Sequence, residues 1–280
     1  MVRAPWRGMA LVAVLWIVVA LSVMALALAG TTRVQVRTAS AQRGAASAQA
    51  AGEAATALAL QELLVQPAMP DGVHIAAVHW QGVDIPVQVM PLNGYIGLNS
   101  ASTELLAAVL QSAGAANAQA LAEAVVAWRD GTDTLPDERR RQPRRFEAVE
   151  DLMLVPGMDY ALYARIAPLI SADTGGSAVN VRGAPSEVLR ALAGGQDARV
   201  ADYVARRSEP NADASFFNPA FAGVHIGGGA LYRVYADVPL AEGTIAHFEC
   251  DVALRADMQR RLPWVVLRQS VHIAVPSQQP

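Results

Sequence analysis

Three features of this 280-residue sequence predict an α+β fold. The first part, to about residue 65, has a helix-favouring composition without a central proline. Strand-like alternation appears in two widely separated stretches, and a run of helices punctuated by proline and glycine lies between them. Hydrophobic residues make up 53% of the chain, charged residues 17%, the net charge is −3, and Cys250 is the single cysteine. That balance excludes a disordered polyelectrolyte and a disulfide scaffold. The sequence contains no lysine, which removes a P-loop lysine, a Schiff-base lysine and a serine–lysine dyad.

The helix comes first. No charge occurs between Arg7 and Arg33, and from Met9 to Ala29 the only polar side chain is Ser22. Such a run is long enough to cross a hydrocarbon core of ~30 Å as a helix with its amides satisfied internally. Arg3 and Arg7 hold the amino end on the cytoplasmic side and send the rest outward. Three mechanisms can use such a segment. Ala27-Leu28-Ala29 before Gly30 supplies a signal-peptidase site, although the apolar run exceeds the usual core of about 7 to 15 residues. An uncleaved anchor needs only the length. Arg7-Gly8-Met9-Ala10-Leu11-Val12 fits a type IV prepilin-like leader, a short basic peptide ending in glycine just before the apolar helix. From Arg33 to Val65 alanine dominates and helix is favoured, until Pro67 and Pro70 stop it. Continuous from Met9 to Val65, the helix would be roughly 85 Å long. A cleaved signal has no reason to continue into such a helix; a pilin stalk has this shape.

Residues 73–80 and 83–89 read as a hairpin turning at Gln81-Gly82, with Pro86 demoting the second strand toward an edge. Residues 102–208 read as helical. Strand patterning returns over 231–238, 245–254 and 264–273. The simplest architecture is a stalk helix, a sheet split across the sequence, and helices inserted between its halves. Within the insert, Leu98-Asn99-Ser100-Ala101-Ser102-Thr103-Glu104-Leu105-Leu106 is echoed by Val181-Arg182-Gly183-Ala184-Pro185-Ser186-Glu187-Val188-Leu189. Each copy reads as a loop, an N-cap near Ser102 or Ser186, and a helix with an acid in its first turn. A second helix follows each copy, over 120–128 and 198–207.

The constellations that could carry chemistry are few. Val155-Pro156-Gly157-Met158 resembles the hairpin of helix-hairpin-helix modules, whose loop amides can receive phosphate. With the arginine run 139–145 it is the case for nucleic-acid binding, against which stand the acidic net charge and the ordinary use of proline and glycine in turns. The run itself reads as a solvated loop. Asp130, Asp133 and Asp137 could offer oxygens to calcium, but the EF-hand spacing is absent. His74, His79, His225, His247 and His272 form no zinc signature, and His74 and His79 point to opposite faces of one strand. No Gly-x-Ser-x-Gly elbow occurs. Gly227-Gly228-Gly229 leads into a strand, and Cys250 reads as a small buried hydrophobe.

Together, several segments resemble protein K of bacterial type II secretion systems, a minor pseudopilin. They are the leader Arg7-Gly8-Met9-Ala10-Leu11-Val12, Gly97-Leu98-Asn99-Ser100-Ala101, Trp128-Arg129-Asp130, Glu150-Asp151-Leu152 through Val155-Pro156-Gly157-Met158 with Tyr163, and Val179-Asn180-Val181. The resemblance implies a pilin-like fold, with a long N-terminal helix and an antiparallel sheet interrupted by an all-α, SAM-like or helix-hairpin-helix-like domain. The implied divisions are a leader at 1–8, a transmembrane and stalk helix at 9–66, the first part of the sheet at 67–97, the helical domain at 98–215, and the remaining strands at 216–280.

It further implies that prepilin peptidase cleaves between Gly8 and Met9 and N-methylates Met9. Pilin-like subunits usually carry a glutamate at mature position five, where it neutralises a neighbour's amino terminus. Ala13 stands there, as protein K members generally lack the acid, and a tip subunit has no neighbour ahead. An insert of about 100 residues would also collide with subunits stacked above it, which a capping position relieves. The implied partners are the minor pseudopilins I, J and H and the major pseudopilin. The implied location is the inner membrane, single-pass, with the head in the periplasm. No catalytic residue, cofactor, nucleic acid or small-molecule substrate is expected. Some family members bind calcium in the head, but the acid-rich pattern after the tryptophan is missing here, so no metal is assigned and Asp130 and Asp133 stand only as calcium candidates. The rival function is a membrane-anchored periplasmic helix-hairpin-helix nucleic-acid receptor.

Overall fold

The computed structural model describes residues 7–67, 69–132, 143–209, 212–223, 230–240 and 243–274, with side chains in the first helix given for 12–22, 24 and from 38 onward. The chain divides into two compact units between Ala50 and Ala51. Helix α1 is Arg7–Leu64. In the first unit the described side chains of its apolar stretch, such as Val12, Leu15, Trp16 and Leu21, are exposed. Among the described residues no helix is long and apolar enough to cross a membrane. Much of the stretch 9–29, where the sequence predicts a span, falls on side chains outside those described.

The second unit holds the strands β1 (His74–Trp80), β2 (Val83–Pro91), β3 (Ile96–Gly97), β4 (Ile170–Ser171), β5 (Val179–Asn180), β6 (Ala222–Gly223), β7 (Leu231–Pro239), β8 (Ile245–Ala253) and β9 (Val265–Ala274). Its main sheet has the order β1-β2-β7-β8-β9 and is antiparallel throughout. Strands from before and after the helical stretch therefore meet at the β2–β7 seam, as a split sheet requires. The β1–β2 hairpin turns at Gln81 and Gly82, whose φ angles of 49° and 82° match the twist-compatible turn of tight hairpins. Pro86 does not make β2 an edge: β1 is the edge strand. β2 tolerates the proline because its register with β7 begins only at Val87.

Alternation assigns the sheet two faces. Tyr232, Val234, Ala236 and Val238 of β7 are buried on one, with Ala246, Phe248, Cys250 and Val252 of β8. Cys250 is a free, buried thiol whose burial pushes its pKa up to about 12, as suits an inert packing residue. Helix α1 crosses this face at Gly52, where an added Cβ would lie 2.3 Å from Cγ of Phe248. Gly52→Ala is therefore expected to destabilise by about 1–3 kcal/mol through overpacking, against its gain in helix propensity. Thermal unfolding of the purified chain reads the sign.

Between β2 and β7 the helices are α2 (Thr103–Ser112), α3 (Ala118–Asp130), α4 (Tyr160–Ile166), α5 (Ser186–Leu192) and α6 (Asp197–Arg206). The sequence predicts residues 102–208 as helical, yet β4 and β5 fall within that range and pair in parallel with β3 and β6, which flank it. Two-residue strands carry no legible alternation. The helices share one apolar core that includes Leu105, Val109, Trp128, Phe146, Leu152, Leu162, Val188, Leu189 and Tyr203.

Candidate functional site

The internal echo in the sequence is a structural repeat. Each copy runs from a two-residue strand, β3 or β5, through a loop into a helix pair, α2–α3 or α5–α6. Ser102 is the N-cap of α2, its hydroxyl accepting from the Leu105 N–H at 3.2 Å. Ser186 is not the cap of α5. Pro185 already supplies the extended cap conformation, and the Ser186 hydroxyl donates to Glu187 instead. An arginine at or just beyond the end of each second helix returns to the same loop position. Arg129 donates to the carbonyls of Ala101 at 3.1 Å and Leu98 at 3.3 Å, and Arg207 donates to that of Ala184 at 2.7 Å. Ala101 and Ala184 are equivalent in the two copies.

Asparagines complete these loops. The Asn99 amide donates to the carbonyls of Phe146 and Ala172, each at 2.9 Å, while its oxygen accepts from the Phe146 N–H at 2.8 Å. Asn180 donates to the Asp71 carbonyl at 2.6 Å and the Asn93 side chain at 3.1 Å, and accepts from the Arg182 N–H. Phe146, held by Asn99, stacks on Trp128 with ring centroids 4.4 Å apart. The guanidinium of Arg144 lies 5.0 Å from the Trp128 ring.

That last contact corrects the reading of a solvated loop at Arg144 alone. Arg144 rests on an aromatic ring and Arg145 pairs with Asp173 at 2.6 Å; residues 139–142 lie outside those described. The Val155–Met158 turn does not join two α-helices, because a 3-10 helix, Val149–Leu154, precedes it. The Asp159 carboxylate caps α4 by accepting from the Leu162 N–H at 2.8 Å, placing a negative charge where the phosphate would sit.

Asp130 faces Arg129 at 3.1 Å, and Asp133 and Asp137 lie outside the described residues. Among the described residues no group of three His, Cys, Asp or Glu side chains could hold a metal. His79 pairs with Asp84 at 2.8 Å and His247 with Asp237 at 2.7 Å, all exposed. Gly227, Gly228, Gly229 and His225 fall outside the described residues. Of the leader residues, Gly8 and Met9 lie in the first turn of α1, and Ala13 is exposed on the same helix.

Sequence reasoning missed one cluster. Arg233 of β7, 4% exposed, makes two hydrogen bonds to Asp251 of β8 at 2.7 and 2.8 Å, with Glu249 at 3.3 Å. Burial by itself would lower the guanidinium pKa, but the bonds and charge of Asp251 hold it above its ordinary range. The ring of Tyr95, which precedes β3, covers this guanidinium at 4.6 Å, and its hydroxyl meets that of Tyr235 at 3.0 Å. The second face of the sheet is thereby joined to the helical stretch. The signal is present as Arg233, Glu249 and Asp251 at matching strand parity, but only the β7–β8 register pairs them.

The described polar contacts are thus internal stitches around the apolar core of the helices. The family profile described as "Type II secretion system (T2SS), protein K" matches residues 32–174, just over half of the chain, from within α1 through β4. No curated protein matches the chain.

Proposed function

Since the chain belongs to the type II secretion system protein K family, we propose that it is a minor pseudopilin at the tip of the pseudopilus, supporting export of folded proteins across the outer membrane. The observation that carries this reading is the sheet order β1-β2-β7-β8-β9, which closes one antiparallel sheet around a helical insert on a chain headed by a long helix. As a family member it is a structural component that associates with other proteins of that system. In our reading it acts without catalysis, and its partners are the minor pseudopilins I, J and H, the major pseudopilin and prepilin peptidase. The apolar run 9–29 holds it in the inner membrane before assembly, with the head in the periplasm. Ala13 agrees with a subunit that has no neighbour ahead to neutralise.

The leader supplies the test. Prepilin peptidase is expected to cut after Gly8, leaving Met9 as the methylated amino terminus, and Gly8→Ala is expected to block both cleavage and secretion. Sequencing the mature amino terminus checks this directly. Met9 supports the pseudopilin, whereas Gly30 or Met1, or normal processing of the Gly8 variant, sinks it.

A further inference from the structure

The second unit carries an open cleft of about 610 Å³ between α1 and the connection from β8 to β9. Phe248 of β8, Val266 of β9 and the buried Trp264 form its apolar floor, and Thr56 and Ala57 of α1 form one wall.

The opposite wall is a built hairpin. The Asp257 carboxylate accepts from the N–H groups of Gln259 and Arg260 at 2.9 and 3.0 Å, and Asp257 bridges to Leu262. The turn so fixed leaves Met258 86% exposed. Arg255, Arg260 and Arg261 are exposed, and their guanidinium groups make no ion pair or hydrogen bond among the described residues. Arg261 has a φ of 54°, a conformation that glycine adopts at far lower cost. Three exposed guanidiniums in one short loop are a concentrated positive charge on a chain of net charge −3.

We propose that this cleft and hairpin dock an acidic, amphipathic segment of a partner subunit. Its apolar side chains would lie on the cleft floor beside Met258 and its carboxylates against Arg255, Arg260 and Arg261. The inference rests on the assembly reading above and names the surface and partner chemistry it requires.

The test co-expresses the full-length chain with minor pseudopilins I and J and measures their recovery with it from detergent-solubilised membranes at about 50 mM and about 500 mM salt. The wild type is expected to retain at least one of them at low salt and release it at high salt. The triple variant Arg255→Glu, Arg260→Glu, Arg261→Glu is expected to lower low-salt recovery about tenfold or more. Arg261→Gly separates docking from folding: it relieves the backbone, so the melting temperature should hold or rise while recovery falls. Recovery that survives both changes overturns the inference and leaves the assembly reading standing. If neither pseudopilin is recovered even with the wild type, both fall. If the triple variant loses binding to phosphatidylglycerol vesicles while partner recovery is unchanged, the loop serves a membrane surface and the inference is overturned.

Discussion

Asp251→Ala is expected to destabilise the folded second unit by about 3–5 kcal/mol, because it strands the Arg233 guanidinium in the interior. Arg233 is 4% exposed, and both of its short hydrogen bonds go to this one carboxylate. Glu249, at 3.3 Å and itself 23% exposed, sits too near the rim to replace them. The comparison that isolates the mechanism is the double variant Arg233→Met with Asp251→Leu. It removes both charges and keeps the volume, so it should cost much less than the single change. Thermal unfolding and amide exchange in β7 and β8 provide the readouts. If Asp251→Ala costs under about 1 kcal/mol, or the double variant costs as much as the single, the pair is not what holds this face together.

The same cluster sets a pH dependence. Burial raises the pKa of the Tyr95 hydroxyl, and proximity to Tyr235 raises it further. On unfolding the hydroxyl returns to an ordinary value near 10. Above that pH the unfolded chain loses the proton first, so fewer protons are bound unfolded than folded and stability falls as pH rises. The loss should be smaller in Tyr95→Phe.

How much of this is legible in the sequence depends on the range of the interactions involved. Local signals read well. Gln81-Gly82 specifies its hairpin, the strands expected at 231–238 and 245–254 lie within a residue of those observed, and Pro67 and Pro70 mark the end of α1. The repeat is visible because both copies keep the same loop-to-helix pattern. What escapes is whatever needs a partner distant in sequence. Pro86 reads as an edge residue because the sequence does not state where the β2–β7 register starts. Arg144 reads as solvated because its contact is a tryptophan in the preceding helix, across a loop. Arg129, Arg207, Asn99 and Asn180 do not read as stitches, since a polar residue that bonds to remote backbone looks in sequence like any surface residue. For a scaffold protein this is a systematic blind spot: the residues that position its surfaces are polar, singly placed and non-local.

Asn99 shows how much rests on one such residue. Asn99→Ala is expected to cost about 3 kcal/mol, because it removes three hydrogen bonds at once and leaves backbone groups of Phe146 and Ala172 without their partner. The loss spreads through Phe146, which is 1% exposed and stacks on Trp128. Near-UV circular dichroism should therefore change along with the melting temperature. Asn99→Asp sharpens the argument, since it keeps the acceptor for the Phe146 N–H but turns the donating end toward two carbonyl oxygens as an anion. At neutral pH it should cost at least as much as alanine. The introduced carboxyl is expected to titrate above the ordinary range in the folded chain, because only the protonated form can donate to those carbonyls. Relative to wild type, the variant should then regain stability as pH falls toward about 4, the unfolded carboxyl's own range. A stability deficit of Asn99→Asp that stays flat between neutral and acidic pH would show that the amide's donated bonds do not hold this loop.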